Sequence, residues 1–199
     1  MRTHDDFMHD LTTTTTPHEP TSEEDSRRKK TRTAHPSASI CRDWMIVSGN
    51  CHYARDRASF TTYTPVHALL KNNIFNPHDE MHVAGVGTVH LVVPRGRTDP
   101  GSTHTLVLED VLHIPEAICN GFNPLLVGSS MSAHGDYWEG ADRQGRPMWF
   151  GLPFAGMGRL VLAGPGGGES ELVEGRVPTL SLYVSPEERR DIVGGLNGG

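Results

Sequence analysis

Two alternating apolar runs joined by a turn constrain this chain more than any other feature. Residues 81–94 place Met81, Val83, Val89, Leu91 and Val93 on one side, with His82, His90 and Val92 on the other, which is the period-two spacing of a strand. Arg95-Gly96-Arg97-Thr98-Asp99-Pro100-Gly101-Ser102 reads as the hairpin loop, and residues 105–112 as the returning strand. Trp44-Met45-Ile46-Val47-Ser48 reads as a buried strand ended by Gly49-Asn50, and residues 149–152, 159–162 and 180–184 supply further strands. With 22 glycines and 14 prolines among 199 residues, long uninterrupted helices have no room, and a helix bundle is excluded. The expectation is an all-β fold: a small closed or nearly closed barrel with one short helix near residues 129–133, between disordered termini.

Residues 1–40 carry five consecutive threonines (Thr12 to Thr16), an acidic cluster at Glu23-Glu24-Asp25 and a basic cluster at Arg27-Arg28-Lys29-Lys30. So little apolar surface cannot offset the entropy of ordering a chain, so this segment reads as a disordered arm, and residues 185–199 as a flexible tail. The folded domain then spans residues 41–184. A net charge of −6 gives nucleic-acid binding little electrostatic support outside Arg27–Lys30, whose run has an import-signal or weak nucleic-acid reading beside that of a solvated charge run. The three cysteines, Cys41, Cys51 and Cys119, form no C-x-x-C pair, which argues against a disulfide scaffold or a cysteine zinc module. The acidic N-terminus lacks the apolar stretch of a signal peptide, and no apolar run reaches the ~20 residues of a membrane span. The expectation is an intracellular protein, cytoplasmic or nuclear, with no membrane partner and no cofactor.

Four segments in order carry a resemblance. Trp44, Ser48, Gly49 and His52 follow the pattern of an apolar strand running into Ser-Gly; Phe60-Thr61-Thr62-Tyr63 comes next, then Val83-Ala84-Gly85-Val86-Gly87-Thr88-Val89. The most distinctive is 106–116, Leu-Val-Leu-Glu-Asp-Val-Leu-His-Ile-Pro-Glu, followed by Asn123-Pro124-Leu125-Leu126. Together they resemble the retropepsin-like aspartic protease module of copia-type LTR-retrotransposon Pol polyproteins, over roughly residues 44–183. The resemblance implies a retropepsin-like barrel that acts as a homodimer, one catalytic aspartate per copy, with the Gly85-Val86-Gly87 hairpin as a flap over an extended peptide substrate.

Val47 stands where that family has its aspartate. Aspartic proteolysis needs two carboxyl groups sharing a proton, one to polarise water and one to protonate the scissile carbonyl, and valine does neither. Asp43 lies four positions upstream, about 13 Å away at ~3.3 Å per residue along a strand. Asp56 lies beyond the turn, and Asp110 belongs to the structural Glu-Asp-Val-Leu stretch. Ser48 has two open readings, a hydroxyl that braces the turn and a strand terminator, while Gly49 reads as a backbone position needing freedom. Cys51 and His52 are neighbours whose side chains diverge on an extended chain, so they read as a buried thiol and a loop histidine rather than a nucleophile and base. His82, His90, His104 and His113 show no metal-ligand spacing.

The leading expectation is therefore a catalytically inactive protease remnant, retained as a peptide-binding or dimerisation module. Two alternatives stand beside it. One is an aspartic endopeptidase active alone or with an intact partner copy, and the other a nucleic-acid-associated accessory protein acting through the Arg27–Lys30 arm.

Overall fold

A computed structural model describes residues 40–71, 80–164, 171–175 and 180–196; the expected N-terminal arm, Arg27–Lys30 included, lies outside them. The strands are β1 (Trp44–Ile46), β2 (Tyr53–Ala54), β3 (Phe60–Leu70), β4 (Met81–Gly96), β5 (Asp99–His113), β6 (Asn120–Phe122), β7 (Ser132–Ala133), β8 (Trp138–Ala141), β9 (Pro147–Phe154) and β10 (Met157–Leu160). They form one ten-stranded sheet ordered β3-β4-β5-β2-β6-β1-β10-β9-β8-β7. Pairing is antiparallel except at β1–β6 and β2–β5. The protein is thus mostly β, as expected, but the hydrogen-bonded order is open at β3 and β7 rather than closed into a barrel.

The 81–94 and 105–112 runs form the β4–β5 hairpin, whose register runs from Gly85↔His113 to Gly96↔Asp99. Its turn is tighter than the loop expected from composition, because pairing continues as far as Gly96 and Asp99 and leaves Arg97-Thr98 at the tip. Val89, Leu91, Val93, Leu106 and Leu108 turn one face of this hairpin onto Trp44, Phe122, Trp149 and Leu160, giving a large buried cluster. Trp149 is fully buried, its indole N–H donating to Ser129 Oγ at 2.9 Å while Ser129 donates to the Pro124 carbonyl, so the ring brings no unmet donor into the core.

The middle of the sheet is fixed by two buried asparagines. Asn120 accepts from Arg55 N–H at 2.9 Å and donates to Cys41 O at 2.8 Å. Asn123 caps the 3₁₀ turn Pro124–Val127, accepting from Leu125 N–H at 3.0 Å, and donates to Gly49 O at 3.1 Å. The Asn-Pro-Leu-Leu segment is therefore a cap followed by a tight turn, with Gly128 (φ 70°) ending it.

Three expectations need correction. Residues 129–133 hold no helix; Ser132–Ala133 is the short β7. Residues 180–184, expected as a strand, make only a single parallel bridge, Gly49↔Leu182. Residues 185–199, expected as a flexible tail, instead contain helix α1 (Pro186–Leu196) with Ile192 and Glu188 buried. Its start is a capping box: Glu188 N–H donates to Ser185 Oγ at 3.2 Å, and Ser185 N–H to Glu188 Oε2 at 2.8 Å. Glu188 also accepts from Lys71 N–H at 2.6 Å, tying α1 to the end of β3. Among the described residues no helix is long and apolar enough to cross a membrane.

Candidate functional site

β1 runs between β6 and β10 and delivers Val47 to the centre of the sheet. Val47 N–H donates to Phe122 O at 2.9 Å, prolonging the β1–β6 ladder by one residue. Its side chain is 7% exposed and packs in a cluster with Cys41, Met45, Cys119 and Leu180, with Phe154 and Met157 at its margin. The position that would have to present a carboxylate to water is therefore sealed in apolar packing.

The residues after it are fastened to the chain's own C-terminal segment. Ser48 N–H donates to Ser181 Oγ at 3.0 Å, and the two hydroxyls share a hydrogen bond at 2.9 Å. The Ser48 hydroxyl is thus bonded within the chain, two residues past the end of β1. Gly49 adopts φ 111°, and a Cβ there would lie 2.1 Å from Leu182 O, so both the turn and the close approach require glycine. Asn50 N–H donates to Leu182 O at 3.2 Å, while its side chain donates to Val184 O at 2.8 Å and accepts from Val184 N–H at 2.7 Å. Ser48, Gly49 and Asn50 thus face residues 181–184 of the same chain.

Cys51 and His52 lie outside the strands and are both buried, each with its own contacts. Cys51 is buried, its thiol pushed up to about 12 by burial, and it donates weakly to Leu182 O at 3.7 Å. It is a protonated packing group and no nucleophile. His52 is 2% exposed, deeper than a loop histidine, and burial pulls its pKa down to about 4. Its ring stacks on Phe122 at 5.9 Å and its Nδ1 accepts from Asn123 N–H at 3.1 Å, which places the proton of the neutral ring on Nε2.

The remaining acids do not converge on Val47. Asp43 pairs with Arg159 at 3.0 Å, and Asp56 accepts from Cys41 N–H at 2.7 Å and from Arg55 at 3.2 Å. Asp110 sits exposed on β5. None of the three is hydrogen-bonded to another carboxyl group, so no proton-sharing dyad exists among them.

The Gly85-Val86-Gly87 segment is no hairpin tip. Gly85 pairs with Pro65 and His113, and Gly87 with Tyr63 and Val111, so both lie mid-strand with neighbours on either side. Their absence of side chains serves close packing: a Cβ on Gly85 would fall 2.2 Å from the Tyr63 ring, and one on Gly87 2.0 Å from Thr62 O. A bulge does lie beside Gly87, with the extra residue on β5, since the β4–β5 register passes from Gly87↔Val111 to Val89↔Leu108.

The four histidines weighed as ligands are dispersed. His113 Nδ1 meets Tyr63 OH at 2.9 Å, His104 Nε2 contacts Met148 O, His82 stacks near His67 at 5.8 Å, and His90 is exposed. Burial lowers the pKa of His113. Among the described residues no three His, Cys, Asp or Glu side chains group as a metal site.

Sequence reasoning missed Ser181, Leu182 and Val184 as partners of the turn, because contacts across more than 130 positions leave no local signal. It also missed α1, for which Ser185-Pro186-Glu187-Glu188 was a readable start: a capping residue, proline in the first turn and an acid three positions on. No family model matches the chain, and neither any curated protein nor any solved structure matches it.

Proposed function

We propose that this chain is a non-catalytic aspartic-protease-like β domain of copia-type retropepsin descent, kept as a binding module and not as a peptidase. The observation that carries the reading is Val47, at the aspartate position of an otherwise matching strand and turn, packed against Leu180, Met45 and two cysteines. The Ser48–Ser181 hydroxyl pair supports it further. In a retropepsin the hydroxyl after the aspartate braces the loop of a second copy; here a serine of the same chain fills that role. This intrachain bond favours a monomeric closure of the turn over the homodimer that the resemblance implies. A binding role rests on the extended-peptide habit of the family and on strand edges left at the ends of an open sheet. An intracellular location, in cytoplasm or nucleus, belongs to the same reading.

The test is incubation of the purified chain with an unstructured peptide mixture at mildly acidic pH, read by mass spectrometry with and without a statine-type inhibitor. The reading expects no inhibitor-sensitive cleavage. Cleavage that the inhibitor abolishes overturns it in favour of an active endopeptidase.

A further inference from the structure

Beside the sealed turn lies a cleft of about 310 Å³, lined in part by Asn50, Cys51 and His52 and by α1. Three of its features are independent of Val47. The first is a buried donor. His52 accepts at Nδ1, so Nε2 carries the proton; no acceptor for it exists among the described residues, and the ring borders this cleft. His52, only 2% exposed as a residue, thus borders the cavity with an N–H that no described residue accepts.

The second feature is a pair of carboxylates placed by a bulge. Between Gly87↔Val111 and Val89↔Leu108, β5 carries Glu109 and Asp110 opposite the single residue Thr88. Asp110 takes φ 51°, a left-handed conformation that aspartate tolerates better than most residues. Both acids line the cleft, and neither has an ion-pair partner among the described residues. The third is Arg189 of α1, anchored by one N–H to Asn50 O at 3.1 Å and retaining further donors at the cleft wall. Between these groups the surface is aliphatic, from Val86, Leu112, Val184 and Ile192.

A cavity near the lower end of small-ligand pocket sizes, whose lining combines two donors, two carboxylates and aliphatic walls, has the chemistry of one ligand class. We propose that this cleft binds a dipeptide-sized zwitterion with aliphatic side chains. Its carboxylate meets His52 Nε2–H and Arg189, its ammonium meets Glu109 and Asp110, and its side chains lie on Val86, Leu112 and Ile192. The proposal does not depend on a protease ancestry, because none of its groups belongs to the Val47 turn's missing chemistry.

The probe is leucyl-leucine, titrated into the full chain and followed by backbone amide NMR shifts, alongside its N-acetyl derivative and its C-terminal amide. The free dipeptide is expected to shift Asn50, Asp110 and Arg189 resonances, with each blocked form binding ~10-fold more weakly. Arg189→Gln should weaken the free and acetylated forms but leave the amide unchanged. Glu109→Gln combined with Asp110→Asn should weaken the free and amidated forms but leave the acetylated one unchanged. All substituted residues are exposed, so folding is checked by the unchanged spectrum elsewhere. Absence of binding, equal binding of blocked and free forms, or shifts confined to another surface would each overturn the proposal.

Discussion

Replacing Val47 by aspartate supplies the carboxyl group that the proposed protease resemblance would call for, but puts it into packing shaped for an aliphatic group. Val47 is 7% exposed, among Cys41, Met45, Cys119 and Leu180, a set with no charged or amide donor for a carboxyl group. Removing the valine loses about 1.5 kcal/mol of apolar burial. Placing an unpartnered polar group there costs a further 1–3 kcal/mol or so. The sum, about 2.5–4.5 kcal/mol, is a large part of the 5–15 kcal/mol that typically holds a domain together. Ionisation makes it worse: burial raises the folded-state pKa of such a carboxyl above its unfolded value near 3.9, so stability falls as pH rises through that range. Urea unfolding of Val47→Asp should therefore show a lower midpoint than the parent at pH 4.5 and a larger deficit at pH 7, with no inhibitor-sensitive peptide turnover at either. Val47→Thr, which exchanges one methyl for a hydroxyl at similar volume, should fold with a loss of roughly 1–2 kcal/mol and serves as the folded comparison. An aspartate variant within about 1 kcal/mol of the parent that also cleaves peptides would refute the reasoning, because it would mean the position faces water.

Other perturbations have outcomes of similar definition. His52 is held neutral, with a folded pKa of about 4 against 6.5 unfolded, so the unfolded chain takes up its proton first. Stability should fall by about 3 kcal/mol from this group as pH drops from 6.5 to 4; urea midpoints across that range should flatten in His52→Gln, and an unchanged slope would contradict the assignment. Gly49→Ala should cost at least about 2 kcal/mol, since both its φ of 111° and its contact with Leu182 O exclude a Cβ. Proteolysis of residues 180–184 should speed up with it. Ser185→Ala should lower stability by about 1 kcal/mol through loss of the α1 cap, measured by thermal unfolding, with the loss confined to amides of α1 in hydrogen exchange.

The hairpin at the heart of this fold was legible because alternation at period two is a local property: Val89, Leu91 and Val93 announce their face without reference to anything distant. Trp44-Met45-Ile46 was readable for the same reason. What failed was long-range. Residues 180–184 look like a strand by composition, yet their one ladder-type bridge is Gly49↔Leu182, because Leu180, Ser181, Leu182 and Val184 are used one by one as partners for Tyr53, Ser48 and Asn50. Gly85 and Gly87 suggested a mobile hairpin, whereas the Tyr63 ring and the Thr62 carbonyl occupy the space that their side chains would need. The tail was misread for a different reason: its apolar content is low, and α1 owes its place to a capping box and to Glu188 reaching Lys71 N–H. At the site, the missing carboxylate could be read from Val47 alone, but its enclosure depended on Leu180, more than 130 positions away.

That enclosure is measured most directly by native-state hydrogen exchange at the amides of Val47 and Asn50, which donate to Phe122 O and Leu182 O. Both should exchange as slowly as the amides of the β4–β5 hairpin, opening only when the domain unfolds. Exchange at the rate of an exposed loop would show a turn open to solvent, and the claim that this position has been closed to chemistry would fall.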